Sequence, residues 1–218
     1  MKNKIILHLL CDIPDSFLIE RSNELLQSLT APHVEAYFYR RFEDVPTNGV
    51  LILVSAQKIL TINEIAKFEN CFVVHPSRLP EGRGSAAIAN YVLGGKDEIW
   101  VSIFEPTEKI DQGPIYYQES FKLEGHELLP EIRNFQFLIT VKLLQQLLND
   151  YPNFTPVVQT GAMSYFKKRF PIDSEINVNK TILEQFNLFR IVDNEKYPAF
   201  FMHKNFKYVL KIYKVEDF

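Results

Sequence analysis

Apolar residues along the first 150 positions recur in two alternating patterns, one typical of strands and the other of helices. Uninterrupted apolar runs predict buried strands, an alternating run predicts a half-buried strand, and apolar residues three or four positions apart predict helices. The predicted strands cover residues 5–11, 34–39, 50–54, 71–74, 99–104 and 115–118, and the predicted helices cover 16–29, 61–68, 85–93 and 129–148. Strands that alternate with helices predict an α/β domain with a mainly parallel sheet over residues 1–150.

The pattern changes after residue 150. Residues 151–156 contain two prolines and predict a linker, residues 180–192 predict a helix, and residues 199–203 and 207–212 predict a β-hairpin. This stretch is rich in Phe and Tyr, which a small β-subdomain needs to build a core. We therefore predict a small C-terminal subdomain over residues 151–218. An exposed strand edge at residues 207–214 could pair between subunits, so a homodimer is predicted.

The composition limits the classes of protein to which this chain can belong. Its 218 residues, 46% of them apolar, can bury a full core and predict a globular protein. No apolar run approaches the roughly 20 residues that a membrane span requires, so no membrane partner is expected. The net charge is −3, but residues 151–218 carry ten basic and seven acidic side chains, a net charge of +3. That balance suits a small anionic ligand such as a nucleotide diphosphate, and it falls short of a nucleic-acid footprint.

Two further features concern metals and location. Cys11 and Cys71 both lie in apolar runs, where cysteine behaves as a small buried hydrophobe, so neither a disulfide nor a metal site is predicted. Asp12 and Asp15 interrupt the N-terminal apolar run before any small-residue cleavage site, which argues against a signal peptide. A cytoplasmic protein is therefore predicted.

Two polar residues follow strands at positions where catalytic groups could be assembled. His75 ends the apolar run at 71–74 and opens a turn built on Pro and Gly, and Asp111 begins an Asp-x-Gly-Pro sequence after the strand at 99–104. Ligands gather at the carboxyl ends of parallel strands, so the two side chains are expected to converge in one crevice. The pair suits attack by a neutral amine on a small acyl group, in which His75 donates to the developing oxyanion and Asp111 holds the imidazole. No serine or cysteine stands where it must be the nucleophile.

Each of these residues also has a purely structural interpretation. Taken alone, His75 is typical of a satisfied core or surface histidine, and Asp111 is typical of a turn before Gly113. Arg83 suits a solvated loop whose flanking glycines adopt positive φ, and Lys58 suits an exposed loop. The pairing of His75 with Asp111 is what favours catalysis.

Three segments together resemble a known enzyme family. They are the sequence His75-Pro-Ser-x-Leu-Pro-x-x-Arg-Gly, the strand Val101-Ser102-Ile103 and the sequence Asp111-x-Gly-Pro-Ile. In them, and over most of its length, the chain is similar to formyltransferases that use N10-formyltetrahydrofolate. The tail from Lys180 to Phe201 resembles the bacterial sugar N-formyltransferases that act on 4-amino sugar nucleotides, including those of pseudaminic-acid-type sugars. It also resembles the formylation domain of linear gramicidin synthetase.

The resemblance implies a Rossmann-like formyltransferase domain in which His75 and Asp111 are catalytic. It implies that N10-formyltetrahydrofolate is the co-substrate, that its pterin lies against the loop at residues 55–61, and that no metal takes part. The acceptor would be an amino sugar carried on UDP or dTDP for a surface or flagellar glycan. The donor is expected to contact Ser55, Lys58, Ile59, Leu60 and Asp111. The acceptor is expected to contact Ser77, Arg83, Ser85, Asn187, Arg190 and Tyr197.

The chain departs from the wider family at position 73, where Val73 replaces the asparagine of an Asn-x-His sequence. Loss of one oxyanion donor costs on the order of 3 kcal/mol of transition-state stabilisation in other enzymes. The sugar branch also carries an apolar residue there, so Val73 favours that branch. Ala87 stands where a proline is common and Arg78 where an acidic residue is expected, and both flank the expected acceptor side.

Two other functions stay open. A methionyl-tRNA formyltransferase would need a larger and strongly basic C-terminal domain to bind tRNA, which 68 residues with a net charge of +3 do not provide. A folate- or nucleotide-binding homologue that has lost turnover would explain the missing asparagine at position 73. Formyl transfer to candidate amino sugars would separate the leading interpretation from this last one.

Overall fold

The computed structural model of the protein describes residues 4–215, so the ends of the two predicted domains, residues 1–3 and 216–218, lie outside the described residues. Within that range the strands are β1 (Ile5–Leu10), β2 (Val34–Tyr39), β3 (Val50–Leu53), β4 (Asn70–His75), β5 (Arg83–Gly84), β6 (Glu98–Phe104), β7 (Ile115–Lys122), β8 (Tyr165–Phe166), β9 (Ala199–His203) and β10 (Phe206–Leu210). The helices are α1 (Phe17–Glu20), α2 (Ser22–Leu29), α3 (Ile62–Ile65), α4 (Ala87–Leu93), α5 (Leu129–Asp150) and α6 (Phe186–Ile191). Short 3₁₀ turns cover Phe42–Asp44, Pro171–Ser174 and Leu183–Gln185.

The central sheet of the described residues has six strands in the order β2-β1-β3-β4-β6-β7. The neighbours from β2 to β4 pair in parallel, and β6 and β7 are added in antiparallel fashion. The predicted α/β fold with a mainly parallel sheet is therefore confirmed. Its strands at 50–54 and 71–74 read as continuous apolar runs because both faces of the sheet are covered.

Because β6 is antiparallel to β4, the loop that carries Asp111 does not start at the same edge of the sheet as the loop after His75. Phe104, at the end of β6, pairs with Val73, two residues before the end of β4. Residues 105–114 then connect β6 to β7 and fold back toward His75. The expectation that Asp111 follows a parallel strand is wrong, because a long loop, and not the carboxyl end of a parallel strand, brings Asp111 to the site.

The helix predicted over residues 16–29 is split into α1 and α2 at Arg21, where φ is −102° and ψ is 13°. The Arg21 guanidinium donates to Glu24 and to Asn134 of α5, 113 residues later in the chain. It also lies 3.5 Å from the ring centroid of Phe137. A tertiary contact thus accompanies the local break, and apolar spacing alone cannot indicate it.

Two other predicted helices are shorter than expected. The helix expected over 61–68 is the single turn α3, and the one expected over 180–192 becomes a 3₁₀ turn followed by α6. In both cases a threonine and the glutamate three residues later form reciprocal bonds, Thr61 with Glu64 and Thr181 with Glu184. These capping boxes satisfy backbone N–H groups at the start of each segment.

The core lies on both faces of the sheet. One face packs on α2 and α5 through residues such as Leu7, Phe72 and Leu144, all of which are fully buried. The other face carries Leu51 and Leu53 and packs on α3 and the turn Phe42–Asp44. A cleft lies at the carboxyl ends of β1, β3 and β4, at one edge of the sheet.

Residues after α5 return to the first part of the chain. β8 pairs with β5 in parallel, and Val157 exchanges backbone hydrogen bonds of 2.7 and 2.8 Å with Ile115. Arg190 of α6 forms a buried ion pair with Glu127, with 3.0 Å between Nη2 and Oε2. β9 and β10 pair as an antiparallel hairpin where one is predicted. The division into two domains at residue 150 stays a prediction.

Burial and helix length add three observations. Cys11 and Cys71 are buried and free, and burial raises the pKa of Cys71 to about 12. In the described part of the chain, no three His, Cys, Asp or Glu side chains cluster as metal ligands would. Among the helices within residues 4–215, none combines the length and the apolarity needed to cross a bilayer.

Candidate active site

His75 is the last residue of β4, and its imidazole is held by the loop that follows. The Nε2 atom lies 2.8 Å from the carbonyl oxygen of Gly82, and the residue is 9% exposed. A carbonyl oxygen can only accept, so Nε2 carries a proton in this arrangement. The turn of Pro and Gly seen in the sequence thus returns the chain to the ring and fixes its orientation.

Asp111 reaches the same place from the loop between β6 and β7. Its Oδ2 accepts a hydrogen bond of 2.8 Å from the backbone N–H of Gly84 and lies 3.8 Å from Nε2 of His75. A separation of 3.8 Å is too long for a hydrogen bond. The structure therefore brings the two side chains together, but the expectation that Asp111 holds the imidazole is corrected, because Gly82 holds the ring and Gly84 holds the carboxylate.

Gly113 explains the glycine of the Asp-x-Gly sequence. A Cβ atom at this position would overlap the backbone carbonyl of Glu105 across the loop, where the Glu105 N–H donates to Pro114 O at 3.0 Å. The close backbone approach, and not a positive φ, requires glycine here.

A Gly113→Ala variant should therefore be destabilised by roughly 1–3 kcal/mol, as overpacked sites are, because the overlapping atoms belong to backbone and cannot rotate away. The loss is measured by denaturant unfolding. The same variant should lower activity, because the added methyl group displaces the loop at 105–114, and that loop carries Asp111. Unchanged stability would show that the loop has room to shift.

One cleft of about 740 Å³ contains both residues. Its walls are the carboxyl ends of β3 and β4, the loops at 55–60 and 106–111, the start of α4, and segments of the tail at 168–174 and 191–197. Lining residues that bear on function are His75, Asp111, Val73, Ser55, Lys58, Ile59, Leu60, Ser85 and Tyr197. The volume falls in the range of small-molecule sites.

The four residues expected to contact the donor besides Asp111 all line this cleft. Lys58 is held there by an ion pair of 2.7 Å with Glu64, and its Nζ lies 4.8 Å from the ring centroid of Phe42. Leu60 is buried, whereas Ile59 is 51% exposed and offers an apolar surface. Their roles in binding stay predictions.

Asp12 does not line the cleft, but it supports the loop at 55–60 that does, and no pattern in the sequence singled it out. Its carboxylate accepts hydrogen bonds from the backbone N–H groups of Gln57 and Lys58, at 2.6 and 3.1 Å, and so fixes the loop at 55–60. In the sequence, Asp12 is an aspartate just beyond a buried strand. Its contact with the loop at 55–60 depends on the pairing of β1 with β3, which the sequence does not show.

The residues expected to contact the acceptor divide into two groups. Ser85 and Tyr197 line the cleft, and the Tyr197 hydroxyl lies 3.4 Å from Oδ2 of Asp15. The structure does not bring the other four to the cleft, and these are Ser77, Arg83, Asn187 and Arg190. Both arginines are about 95% buried. Arg83 donates through Nη1 to Tyr165 and through Nη2 to Gln159, while its Nε has no hydrogen-bond partner among the described residues. Arg190 donates to Glu127 and Asn187.

Cations in the cleft come instead from positions that were not singled out. Lys109, Lys168 and Arg169 line it. Arg169 donates to the carbonyl of Asp173 at 2.7 Å, and burial lowers its pKa while the charge of Asp173 opposes that shift. The basic run at 167–169 contributes to the net charge of +3 of residues 151–218, which is the sequence signal that these cations leave.

One ion pair at the rim joins the tail to α5. Arg133 donates to Oδ2 of Asp193 at 2.8 Å, and both residues line the cleft. Burial opposes ionisation of Asp193, but the N–H of Lys196 and the Arg133 guanidinium outweigh it and lower the pKa of the carboxyl group. The pair fixes the position of the tail beside the cleft.

Comparisons with known proteins relate this chain to formyltransferases. Residues 44–134 match the family described as formyl transferase. A methionyl-tRNA formyltransferase of Caldicellulosiruptor saccharolyticus is 30% identical over 77% of this chain and 53% of its own length. The chain thus spans about half the length of the curated relatives it matches.

Solved structures share the fold at low identity. A methionyl-tRNA formyltransferase from Clostridium thermocellum superposes with a TM-score of 0.77 at 17% identity, covering 97% of this chain and 94% of that one. A sugar 3N-formyl transferase, solved in the presence of dTDP and 5-N-formyl-THF, has a TM-score of 0.66 at 14% identity, covering 97% and 95%. The chain therefore carries a formyltransferase domain, built on the Rossmann-like α/β fold of formyl-transferring enzymes.

Proposed function

We propose that this protein transfers a formyl group from N10-formyltetrahydrofolate to the amino group of a 4-amino-4,6-dideoxy sugar linked to UDP or dTDP. One observation carries the proposal. His75 and Asp111 come from distant segments and meet at 3.8 Å in a cleft that is also lined by the loop at 55–60. A donor on that loop and an acceptor on the tail side would place formyl group and amine beside the pair.

The donor side of the proposal rests on the family match and on the form of the cleft. The matched formyl transferase segment includes the loop at 55–60, β4 and the Asp111 loop. Ile59 and Val73 give that side of the cleft an apolar surface, and Asp12 fixes the loop backbone. A flat heteroaromatic ring suits such a slot, because apolar walls with a few fixed polar groups are typical of cofactor sites.

The acceptor side is supported by charge. Lys109, Lys168 and Arg169 line the cleft and are suited to the phosphates of a nucleoside diphosphate. Lys168 and Arg169 come shortly before the segment from Lys180 to Phe201, which resembles the sugar branch. The identity of the sugar, its nucleotide and its use in a surface glycan are proposed on this charge and on that resemblance.

The two central residues have separate tasks in the proposed reaction. The co-substrate supplies the formyl carbon. As negative charge develops on the formyl oxygen, the Nε2–H of His75 would exchange its bond to the Gly82 carbonyl for a bond to that oxygen. Asp111 would take up the proton that the attacking amine loses and pass it to N10 of the donor as the bond from the formyl carbon to N10 breaks and tetrahydrofolate leaves. Val73 lines the cleft but has no hydrogen-bond donor, so the stabilisation of charge on the formyl oxygen depends more strongly on the His75 imidazole. Contact between amine and formyl group removes much of the entropic cost.

The test is formyl transfer by the purified protein. The protein is given N10-formyltetrahydrofolate with a panel of UDP- and dTDP-linked 4-amino and 3-amino sugars, and release of tetrahydrofolate and the product mass are followed. We expect a formylated 4-amino sugar. Binding of both ligands without release of tetrahydrofolate would contradict the proposal and favour a non-catalytic homologue.

Methionyl-tRNA is the second candidate acceptor, because the curated relatives carry that name. The same assay with methionyl-tRNA and free amino sugar nucleotides as competing acceptors separates the two. Product on the tRNA alone would overturn the sugar acceptor while leaving formyl transfer in place.

The homodimer stays a prediction. Within the described residues β10 pairs only with β9, so its other edge is open, and Phe206, Tyr208 and Val209 on β10 are about half exposed or more. An open edge with apolar side chains supports pairing between copies. Sedimentation of the parent and of a Val209→Lys variant would test it, and a monomeric parent would contradict it.

A further inference from the structure

The loop that carries Asp111 is anchored by a side chain from far along the chain. Gln159 donates through Nε2 to the carbonyl oxygens of Asp111 and Gly113, at 2.9 and 2.7 Å. The two carbonyls lie two residues apart, so one amide holds the loop backbone on both sides of Gln112. Gln159 belongs to the segment that returns after α5, and it is outside the cleft.

The orientation of the Gln159 amide is fixed by Arg83. The Arg83 Nη2 donates to Oε1 of Gln159 at 2.6 Å, and the arginine is 5% exposed. A guanidinium only donates and carbonyls only accept, so the amide oxygen must face Arg83 and the amide nitrogen must face the loop. Nη1 of the same guanidinium lies 3.3 Å from the Tyr165 hydroxyl.

The loop needs such support because of its backbone. Asp111 has φ of +53°, the left-handed region that residues other than glycine adopt at a cost. Disfavoured backbone persists where surrounding contacts hold it. Here the backbone is held by Gln159, while the carboxylate is held by the N–H of Gly84, the residue next to Arg83.

We propose that Gln159, oriented by Arg83, is a positioning residue that sets the Asp111 carboxylate against His75. The inference rests on the proposed function, in which that pair performs the transfer. Gln159 touches neither the cleft nor the reacting groups, so its effect is on geometry. A displacement of about 1 Å from a remote substitution can cost on the order of a hundredfold in rate.

The test uses Gln159→Glu. One carboxylate oxygen keeps an acceptor for Arg83, so the buried guanidinium stays paired, whereas the other places negative charge against the two carbonyls and repels the loop. We expect kcat to fall roughly ten- to hundredfold, with KM for both substrates and the melting temperature near those of the parent. Val158→Ala is the matched control, because Val158 is adjacent and 75% exposed, and it should leave kcat unchanged.

Two further measurements separate positioning from a general structural effect. Combined with Asp111→Asn, Gln159→Glu should cost almost nothing more, because a residue that acts through Asp111 has no effect once that carboxylate is gone. The Gly84 amide should exchange its hydrogen at least tenfold faster in Gln159→Glu, while the Arg83 amide, which donates to Ser164 O, stays protected.

Each outcome decides the proposal. Additive losses in the double variant, or unchanged Gly84 exchange, overturn it. If Gln159→Glu does not fold, Arg83→Met takes its place. It keeps both amide donors of Gln159 and removes the guanidinium that orients them, together with the contact to the Tyr165 hydroxyl, and it should show the same pattern in weaker form. If the parent transfers no formyl group to any acceptor, the proposed function fails by itself, and Gly84 exchange alone decides whether Gln159 sets the loop.

Discussion

His75→Asn and Asp111→Asn should each lower kcat for formyl transfer by roughly 10²–10⁴-fold, the range in which a lost proton-transfer group acts. The fold should survive both changes. Asn at position 75 is a smaller polar side chain that loses the bond from Nε2 to Gly82, and Asn at position 111 tolerates the left-handed backbone and keeps an oxygen for the Gly84 amide. Steady-state kinetics and thermal melting of the two variants provide the measurement.

The control for this experiment is His203→Asn, since His203 is an exposed histidine at the end of β9 and does not line the cleft. It should match the parent in kcat and in stability. Donor binding, measured by titration with a stable folate analogue, should be retained in all three variants. A near-normal kcat in either active-site variant would remove the role assigned to that residue.

Arg190→Met should produce the largest loss of stability, about 3–5 kcal/mol, because it leaves the Glu127 carboxylate buried without its cation. The pair is 3.0 Å apart with both side chains about 95% buried, and Arg190 Nε also donates to the Glu127 carbonyl at 3.1 Å. Denaturant unfolding gives the free-energy difference. A loss below about 1 kcal/mol would show that the pair behaves like an exposed one.

A matched exposed pair provides the control. Lys211 and Glu195 are 2.7 Å apart, but both side chains face solvent, so Lys211→Met should leave the unfolding midpoint almost unchanged. The same variants test the earlier expectation that Arg190 contacts the acceptor. Unchanged stability with a raised KM for the nucleotide sugar would support that role and contradict the structural one.

Glu127 adds a dependence on pH. Burial opposes its ionisation, but hydrogen bonds from the backbone N–H groups of Glu124 and Gly125 outweigh burial, and the pKa of Glu127 lies below its ordinary value. A carboxyl group with a lowered pKa in the folded state contributes stability above its unfolded pKa and loses it as the pH falls. The buried pair should therefore weaken in acid and not in alkali.

The sequence predicted the strands and the two central residues because each depends on local pattern. Apolar runs located β1, β3 and β4, and the segments around His75 and Asp111 each followed a strand. The sequence could not predict that β6 is antiparallel, because strand direction depends on which edge the chain joins. That direction decides that a loop, and not a strand end, delivers Asp111.

Arg83 and Arg190, which do not line the cleft, show a second limit. A sequence places Arg83 and Arg190 beside expected binding residues, but it does not show which way a guanidinium points. Their partners, Gln159 and Glu127, lie 76 and 63 residues away, and only the folded chain brings them together. The role of Asp12 could not be predicted either, because Asp12 reaches the loop at 55–60 only when β1 and β3 are neighbours in the sheet.

The left-handed backbone at Asp111 also restricts how this protein can evolve. Asparagine and glycine suit that conformation, whereas β-branched or bulky residues do not. Asparagine is one nucleotide substitution away from aspartate, so the easiest tolerated change at this position removes the carboxylate and preserves the shape. Homologues that have lost turnover in this way would keep an intact fold and cleft, and only the residue at this position would distinguish them.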